Sequence, residues 1–99
     1  MVEQITAGNL PLGIFHDLEP ELCTRQLLEG DYVIMVSDGI VEGLAQSMCE
    51  DAVFEAVSAM KLEHPKEMAN ALLNFVIRQT GGRIRDDMSV IVIGLWEKL

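Results

Sequence analysis

The chain has 99 residues, which is enough for one small domain or for part of a larger one. Its formal net charge of −9 argues against binding to nucleic acid or to an anionic membrane surface, because both require basic patches. No apolar run reaches the ~20 residues of a membrane span, and the N-terminal residues do not have the pattern of a signal peptide. We therefore expect a cytoplasmic domain. If the chain is part of a longer protein, that protein could carry a membrane anchor upstream.

The first predicted elements along the chain are short strands. Residues 1–13 are expected to lead from a strand into a turn-rich segment, and Ile14–Leu18 is expected to form a second strand. Weak alternation predicts a further strand over Glu21–Leu28. Turn residues follow at 29–31, so this strand and the next one are predicted to form a hairpin.

Two longer apolar runs predict the central strands, Tyr32–Ser37 and Met88–Leu95. Each run is apolar on both faces and is bounded by turn residues, a pattern typical of strands that are covered on both sides. Alternate residues of a strand face opposite sides of the sheet. In the second run this puts valines on one face and isoleucines on the other.

Two helices are predicted between these strands. Ser47 and Glu50 have the spacing of a capping box, which predicts the start of the first helix. Pro65 suits the first position of the second helix, and Gly81-Gly82 is expected to end it. Their apolar residues recur at helical spacing. The element order predicts an α/β layer architecture. We expect an α/β (α+β) fold with an antiparallel sheet and two helices packed on one face.

The candidate functional residues are acids at the tips of the two central strands. Asp38 ends the first apolar run and Asp86 opens the second, so neighbouring strands would bring them together. Taken alone, each is an ordinary turn acid, and Gly39 allows a sharp turn after Asp38. Together they suit Mg²⁺ or Mn²⁺, which prefer carboxylate and water oxygens. Successive side chains of an extended segment point in opposite directions, so only one of Asp86 and Asp87 is expected to face such a site.

Other residues with reactive side chains carry weaker signals. Glu42 is interpreted as an exposed acid rather than a third ligand. His16 and His64 have no candidate ligands near them in sequence and are interpreted as structural or solvent-facing. Cys23 and Cys49 lack metal-type spacing and are interpreted as reduced, unpaired thiols.

Four stretches, in order and spacing, resemble the PPM/PP2C-type protein serine/threonine phosphatases, in the branch typified by stage II sporulation protein E. Leu10–Ile14 resembles a PLG segment, and Glu29–Glu42 resembles a GD-x-hhhh-SDG-h-x-E block, where h is apolar. The two predicted helices have the expected length. Asp86–Val92 resembles the closing DD-M-[ST]-hhhh block.

This resemblance implies part of an α-β-β-α sandwich with a two-metal centre of Mn²⁺ or Mg²⁺, which hydrolyses phosphoserine or phosphothreonine in a protein substrate. It implies that Asp38 and Asp86 ligate one metal, with Gly39 and Asp87 as supporting residues. The family's other metal-binding block lies in its N-terminal half. Residues 1–99 are therefore expected to be the C-terminal part of a single phosphatase domain, and to be inactive without the rest.

The same resemblance implies that the parent acts on a phosphorylated anti-sigma-factor antagonist in sporulation control. The alternative is a non-catalytic, phosphatase-like module for interaction or dimerisation. Half of a sandwich would expose an apolar sheet face and an open sheet edge, and such surfaces drive association. We therefore expect the chain to self-associate through that face or edge.

Overall fold

The computed structural model describes residues 2–5, 22–47, 51–84 and 86–96. These residues form an α+β fold with an antiparallel pair of strands and three helices. In chain order the elements are β1 (Tyr32–Val36), α1 (Asp38–Ser47), α2 (Ala52–Ala59), α3 (Pro65–Gln79) and β2 (Val90–Gly94). The predicted fold class is confirmed, with one more helix than expected. The predicted strand Ile14–Leu18 lies outside the described residues.

The two central strands pair with each other in the antiparallel direction. Val36 lies opposite Val90, and Tyr32 lies opposite Gly94. The pairing extends beyond the strand ends, because Gly30 N donates to Leu95 O at 2.9 Å. Both apolar runs therefore form strands, as predicted, and they are neighbours in one sheet.

The sheet is covered on one face only within the described residues. Ile34, Val36 and Val90 pack against the helices. On the opposite face Met35 and Ile91 are each 52% exposed, and Ile93 is 46% exposed. The alternation of valines and isoleucines is confirmed, but the prediction that both faces are covered is wrong for this part of the chain. Among the described elements, the three helices all lie on the other side of the sheet, so none of them covers the outer face.

The predicted hairpin upstream of β1 does not form in the described residues. A turn is present at Glu29 and Gly30, but residues 22–28 have no strand structure. Asp31 turns back on Leu28 instead: its N–H donates to Leu28 O at 3.0 Å, and its carboxylate accepts from Leu28 N at 2.8 Å. The carbonyl of Asp31 accepts from Leu95 N, so the backbone there pairs with the end of β2.

Helix α1 was not predicted. Ile40 and Leu44, one turn apart, are both 0% exposed and form the centre of the core. Burying two such side chains contributes about 1.5–3 kcal/mol each, which offsets the poor helix propensity of Gly39 and Gly43. Ser47 is the last residue of α1. The predicted capping box at Ser47 is therefore wrong.

Helices α2 and α3 complete the layer over the sheet. The N-cap of α2 is Asp51, whose side chain makes no capping hydrogen bond. The next residue, Ala52, is buried in the core, and this packing holds the start of the helix in place. Helix α3 starts at Pro65, as predicted, and His64 is its N-cap, accepting from Lys66 N at 3.3 Å. Its end at Gly81-Gly82 is also confirmed, because both glycines have positive φ, 64° and 81°.

The core formed by these elements is small and aliphatic. Its fully buried members come from all three helices: Ile40, Leu44, Ala52, Met68, Leu72 and Val76. No polar or charged side chain is buried among the described residues. In that part of the chain, no helix has both the length and the apolar character needed to span a membrane.

Candidate metal centre

The site is built where β1 passes into α1. Ser37 separates the two elements, and Asp38 is the first residue of the helix. The carbonyl of Ser37 accepts from Ile40 N at 3.0 Å and from Val41 N at 3.4 Å, which starts the helix. Acidic residues are favoured in the first turn of a helix. The Asp38 side chain is exposed at this corner of the fold and accessible to a ligand.

The segment before β2 lies beside this junction. Ser37 N donates to Ser89 O at 3.0 Å, so backbone pairing continues one residue past Val36 and Val90. The Ser37 hydroxyl donates to Asp87 O at 3.1 Å and accepts from Ser89 N at 2.8 Å. Three hydrogen bonds thus join Ser37 to residues 87–89.

Gly39 brings the backbone of the second acidic segment into contact with α1. A Cβ atom built on Gly39 would overlap the carbonyl oxygen of Asp87, and it would lie 3.0 Å from the Asp87 carbonyl carbon and 3.2 Å from Asp86 O. Only a glycine allows this approach. Asp38 and Asp86 therefore sit at one corner of the molecule, although 47 intervening residues separate them in sequence.

The carboxylates of the second segment remain available to a cation. Asp86 Oδ1 accepts from Asp87 N at 2.8 Å, which holds the Asp86 side chain against its own backbone. Asp86 and Asp87 are both exposed. A carboxylate oxygen has more than one lone pair, so this bond leaves acceptor capacity for a metal ion.

These residues fit a partial site for a hard cation. Carboxylate oxygens are the ligands that Mg²⁺ and Mn²⁺ prefer. However, no group of three His, Cys, Asp or Glu side chains within the described ranges is arranged to hold a metal. The geometry therefore brings together the two predicted acids and their two supporting residues, and further ligands would have to come from elsewhere.

Among the described residues, the other candidates do not complete a metal site with these acids. Glu42 is exposed on α1, as predicted, and joins no such three-residue cluster. His64 caps α3, and Cys23 is an exposed free thiol. His16 and Cys49 lie outside the described residues. Ser37, which joins the two segments at this corner, was not predicted, and its only signal in the sequence is its place between an apolar strand and Asp38.

Comparison with known proteins identifies the family of the chain. A sequence model of the stage II sporulation protein E (SpoIIE) family matches residues 1–96. Stage II sporulation protein E of Bacillus subtilis is 39% identical over 93 residues, which are 93% of this chain and 11% of that protein. The Priestia megaterium protein of the same name is 35% identical over 95 residues, 95% of this chain and 16% of that protein. The chain thus spans a small fraction of these relatives.

Solved structures agree with the sequence match. The structure of the PP2C phosphatase domain of Bacillus subtilis SpoIIE with a fragment of its regulatory domain has a TM-score of 0.80 at 39% identity, over 93% of this chain and 28% of that one. The Mn-presoaked phosphatase domain gives a TM-score of 0.73 at 33% identity, over 91% of this chain and 42% of that one. The chain adopts the fold of this part of a PP2C phosphatase domain and belongs to the SpoIIE family.

Proposed function

We propose that residues 1–99 are the C-terminal part of a metal-dependent protein phosphatase domain, and that this chain contributes one side of its metal centre. The observation that carries the proposal is the contact of Gly39 with the Asp86–Asp87 backbone, which brings Asp38 and Asp86 to one corner. Support also comes from the phosphatase domain of Bacillus subtilis SpoIIE, of which this chain covers 41–42%.

In this proposal Asp38 and Asp86 are ligands of one Mn²⁺ or Mg²⁺ ion, and Gly39 and Asp87 support them. The exposed, oxygen-rich corner described above suits such an ion. When bound, a pair of divalent ions supplies an activated water and neutralises charge on a phosphoryl group. The role of this chain is to present two carboxylates from segments whose backbones meet at Gly39.

The proposed substrate is a phosphoserine or phosphothreonine in a protein, and specifically a phosphorylated anti-sigma-factor antagonist. Membership of the SpoIIE family supports this assignment. We expect the 99-residue chain alone to be inactive, because two carboxylates and water bind a divalent ion weakly and do not make a two-metal centre.

We also propose that the isolated chain self-associates. Its outer sheet face exposes Met35, Ile91 and Ile93 side by side, since Met35 lies opposite Ile91 in the register. Removing such a face from water is favourable at about 25 cal/mol per Å² of apolar surface. A second copy of the chain would cover the face here, whereas the other sheet of the sandwich would cover it in a complete domain.

The test uses the longer protein that carries this chain, assayed with Mn²⁺ against p-nitrophenyl phosphate and a phosphoserine protein. Asp38→Asn and Asp86→Asn should each lower turnover by more than about 100-fold, because even outer hydrogen-bond partners of metal ligands cost 10–100-fold. Asp51→Asn, at the N-cap of α2 where the side chain makes no capping bond, is the matched control and should retain activity.

Two outcomes would separate the alternatives. Full activity in Asp38→Asn would refute the assignment of that residue as a ligand. A longer protein that is inert with Mn²⁺ and with Mg²⁺, yet still associates through this chain, would favour the non-catalytic interaction module.

A further inference from the structure

The Ser37 hydroxyl occupies a position in the sheet that a backbone carbonyl normally fills. In an antiparallel pair, two hydrogen-bonded residues exchange both of their N–H···O bonds. Ser37 and Ser89 make one of these through the backbone, since Ser37 N donates to Ser89 O at 3.0 Å. The return bond, from Ser89 N at 2.8 Å, goes to the Ser37 hydroxyl instead of the Ser37 carbonyl.

The Ser37 carbonyl is engaged by the helix. It accepts from Ile40 N at 3.0 Å and from Val41 N at 3.4 Å, the first backbone bonds of α1. The chain must therefore leave the sheet and start a helix at the same residue. A hydroxyl resolves this conflict, because it both accepts from Ser89 N and donates to Asp87 O, at 3.1 Å.

We propose that Ser37 is a positioning residue of the metal centre: its hydroxyl holds residues 87–89 against the start of α1 and so fixes Asp86 relative to Asp38. Asp38 directly follows Ser37 in the chain. Asp86 directly precedes Asp87, whose carbonyl accepts the hydrogen bond from the Ser37 hydroxyl. The inference rests on the proposed function, because it concerns the spacing of the two proposed ligands.

Loss of the hydroxyl would leave two polar backbone groups at this junction without their partner. Ser89 N–H would lose its acceptor and Asp87 C=O its donor. Alanine at position 37 keeps the backbone bond between Ser37 N and Ser89 O, so β1 and β2 would stay paired. The expected defect is therefore a looser segment at 86–89 rather than an unfolded sheet.

The experiment compares Ser37→Ala, Ser37→Thr and Ser37→Val in the longer protein. Threonine keeps the hydroxyl, and valine has nearly the same shape without it. Ser58→Ala is the matched control, since Ser58 Oγ also donates to a backbone carbonyl, Phe54 O at 2.8 Å, but lies on α2. The readouts are amide hydrogen exchange at Ser89, Mn²⁺ affinity by electron paramagnetic resonance, and kcat separately from KM.

We expect alanine and valine to weaken Mn²⁺ binding by about 10-fold, as loss of a group that orients a metal ligand does, and to lower kcat at limiting Mn²⁺ with KM unchanged. Exchange at Ser89 should accelerate by a similar factor. Threonine should restore Mn²⁺ affinity, kcat and the exchange rate at Ser89, and Ser58→Ala should change none of the three.

Faster exchange at Ser89 with wild-type Mn²⁺ affinity would overturn the inference, because the hydroxyl would then serve structure alone. Loss of the whole fold in alanine and valine, with Ser58→Ala intact, would overturn it in the same way. Failure of the proposed function would look different: the wild-type protein itself would bind no Mn²⁺, or Asp38→Asn would bind it equally well.

Discussion

Gly39 lies directly against the carbonyl group of Asp87, with no space between them for a side chain. A Cβ atom at Gly39 would overlap the Asp87 oxygen, and both contacting groups belong to backbone that cannot move aside alone. This contact joins the start of α1 to the segment before β2. The absence of a side chain at Gly39 is therefore what allows the two acidic segments to meet.

Gly39→Ala is accordingly expected to destabilise the chain by about 1–3 kcal/mol, the usual cost of inserting a methyl group into a tight contact. It should also weaken Mn²⁺ binding in the longer protein, because the 86–87 segment must shift. Urea denaturation followed by circular dichroism measures the first effect, and a Mn²⁺ titration measures the second.

The control for this substitution is Gly43→Ala in the same helix. A Cβ there would meet side-chain atoms only: Thr80 Cγ2 at 3.2 Å, Met88 Cε at 3.4 Å and Val76 Cγ1 at 3.6 Å. Small shifts of these side chains, and the better helix propensity of alanine, should keep stability within about 1 kcal/mol of wild type. If Gly39→Ala and Gly43→Ala lowered the free energy of unfolding equally, the Gly39 contact would have no special importance.

Ile40→Ala should destabilise the chain by about 2–5 kcal/mol, because Ile40 is 0% exposed at the centre of the core and its removal leaves a cavity. The next residue provides the control, since Val41 is 41% exposed. Val41→Ala should cost less than about 1 kcal/mol, the range of substitutions outside the core. Similar losses of unfolding free energy for the two variants would mean that α1 does not pack as described.

Replacing the exposed isoleucines on the outer face of β2 should abolish self-association of the isolated chain. Ile91→Thr with Ile93→Thr removes most of the apolar surface while threonine preserves strand propensity. Sedimentation at micromolar concentration should change from dimer to monomer. Leu62→Thr is the control, because Leu62 is an exposed apolar residue (66%) in the connection between α2 and α3 and not in either strand. A monomeric wild-type chain would refute the proposed association.

The elements that were predicted correctly are those whose sequence pattern lies within the element itself. The apolar runs of β1 and β2 and the Pro65 start of α3 need no knowledge of distant residues. Helix α1 was missed because Gly39 and Gly43 make it a weak helix, and the Ile40–Leu44 spacing is its one local sign. The strand pattern alone predicts that both sheet faces are covered, since an apolar run does not specify what covers it. The exposed apolar face was expected only from the resemblance to half of a sandwich.

Within the site, Asp38 and Asp86 were predicted as a pair because each adjoins an apolar strand. The hydrogen bonds of Ser37 were not predictable in the same way. Its two hydroxyl bonds reach residues 50 and 52 positions further along the chain, so they exist only once β1 and β2 have paired. A lone serine before an aspartate has many local roles, and only the pairing register selects this one.

Trp96, the single tryptophan of the chain, is a fluorescence probe for the end of the sheet opposite the proposed metal site. Its ring meets Tyr32 edge to face, with centroids 6.2 Å apart and an interplanar angle of 79°. The ring also covers Gly94, where a Cβ would lie 2.6 Å from Trp96 Cη2. Gly94→Ala should therefore displace the indole and change its fluorescence maximum and near-ultraviolet circular dichroism.

The stability cost of Gly94→Ala should stay below about 1.5 kcal/mol, because an aromatic pair of this kind contributes about 0.5–1.5 kcal/mol and the exposed Trp96 side chain can move. Tyr32→Phe is the control: it keeps the ring but loses the hydrogen bond from Tyr32 Oη to Glu63 O, 3.1 Å long. Its Trp96 emission should match wild type. Unchanged emission in Gly94→Ala would show that the indole does not rest on Gly94 in solution.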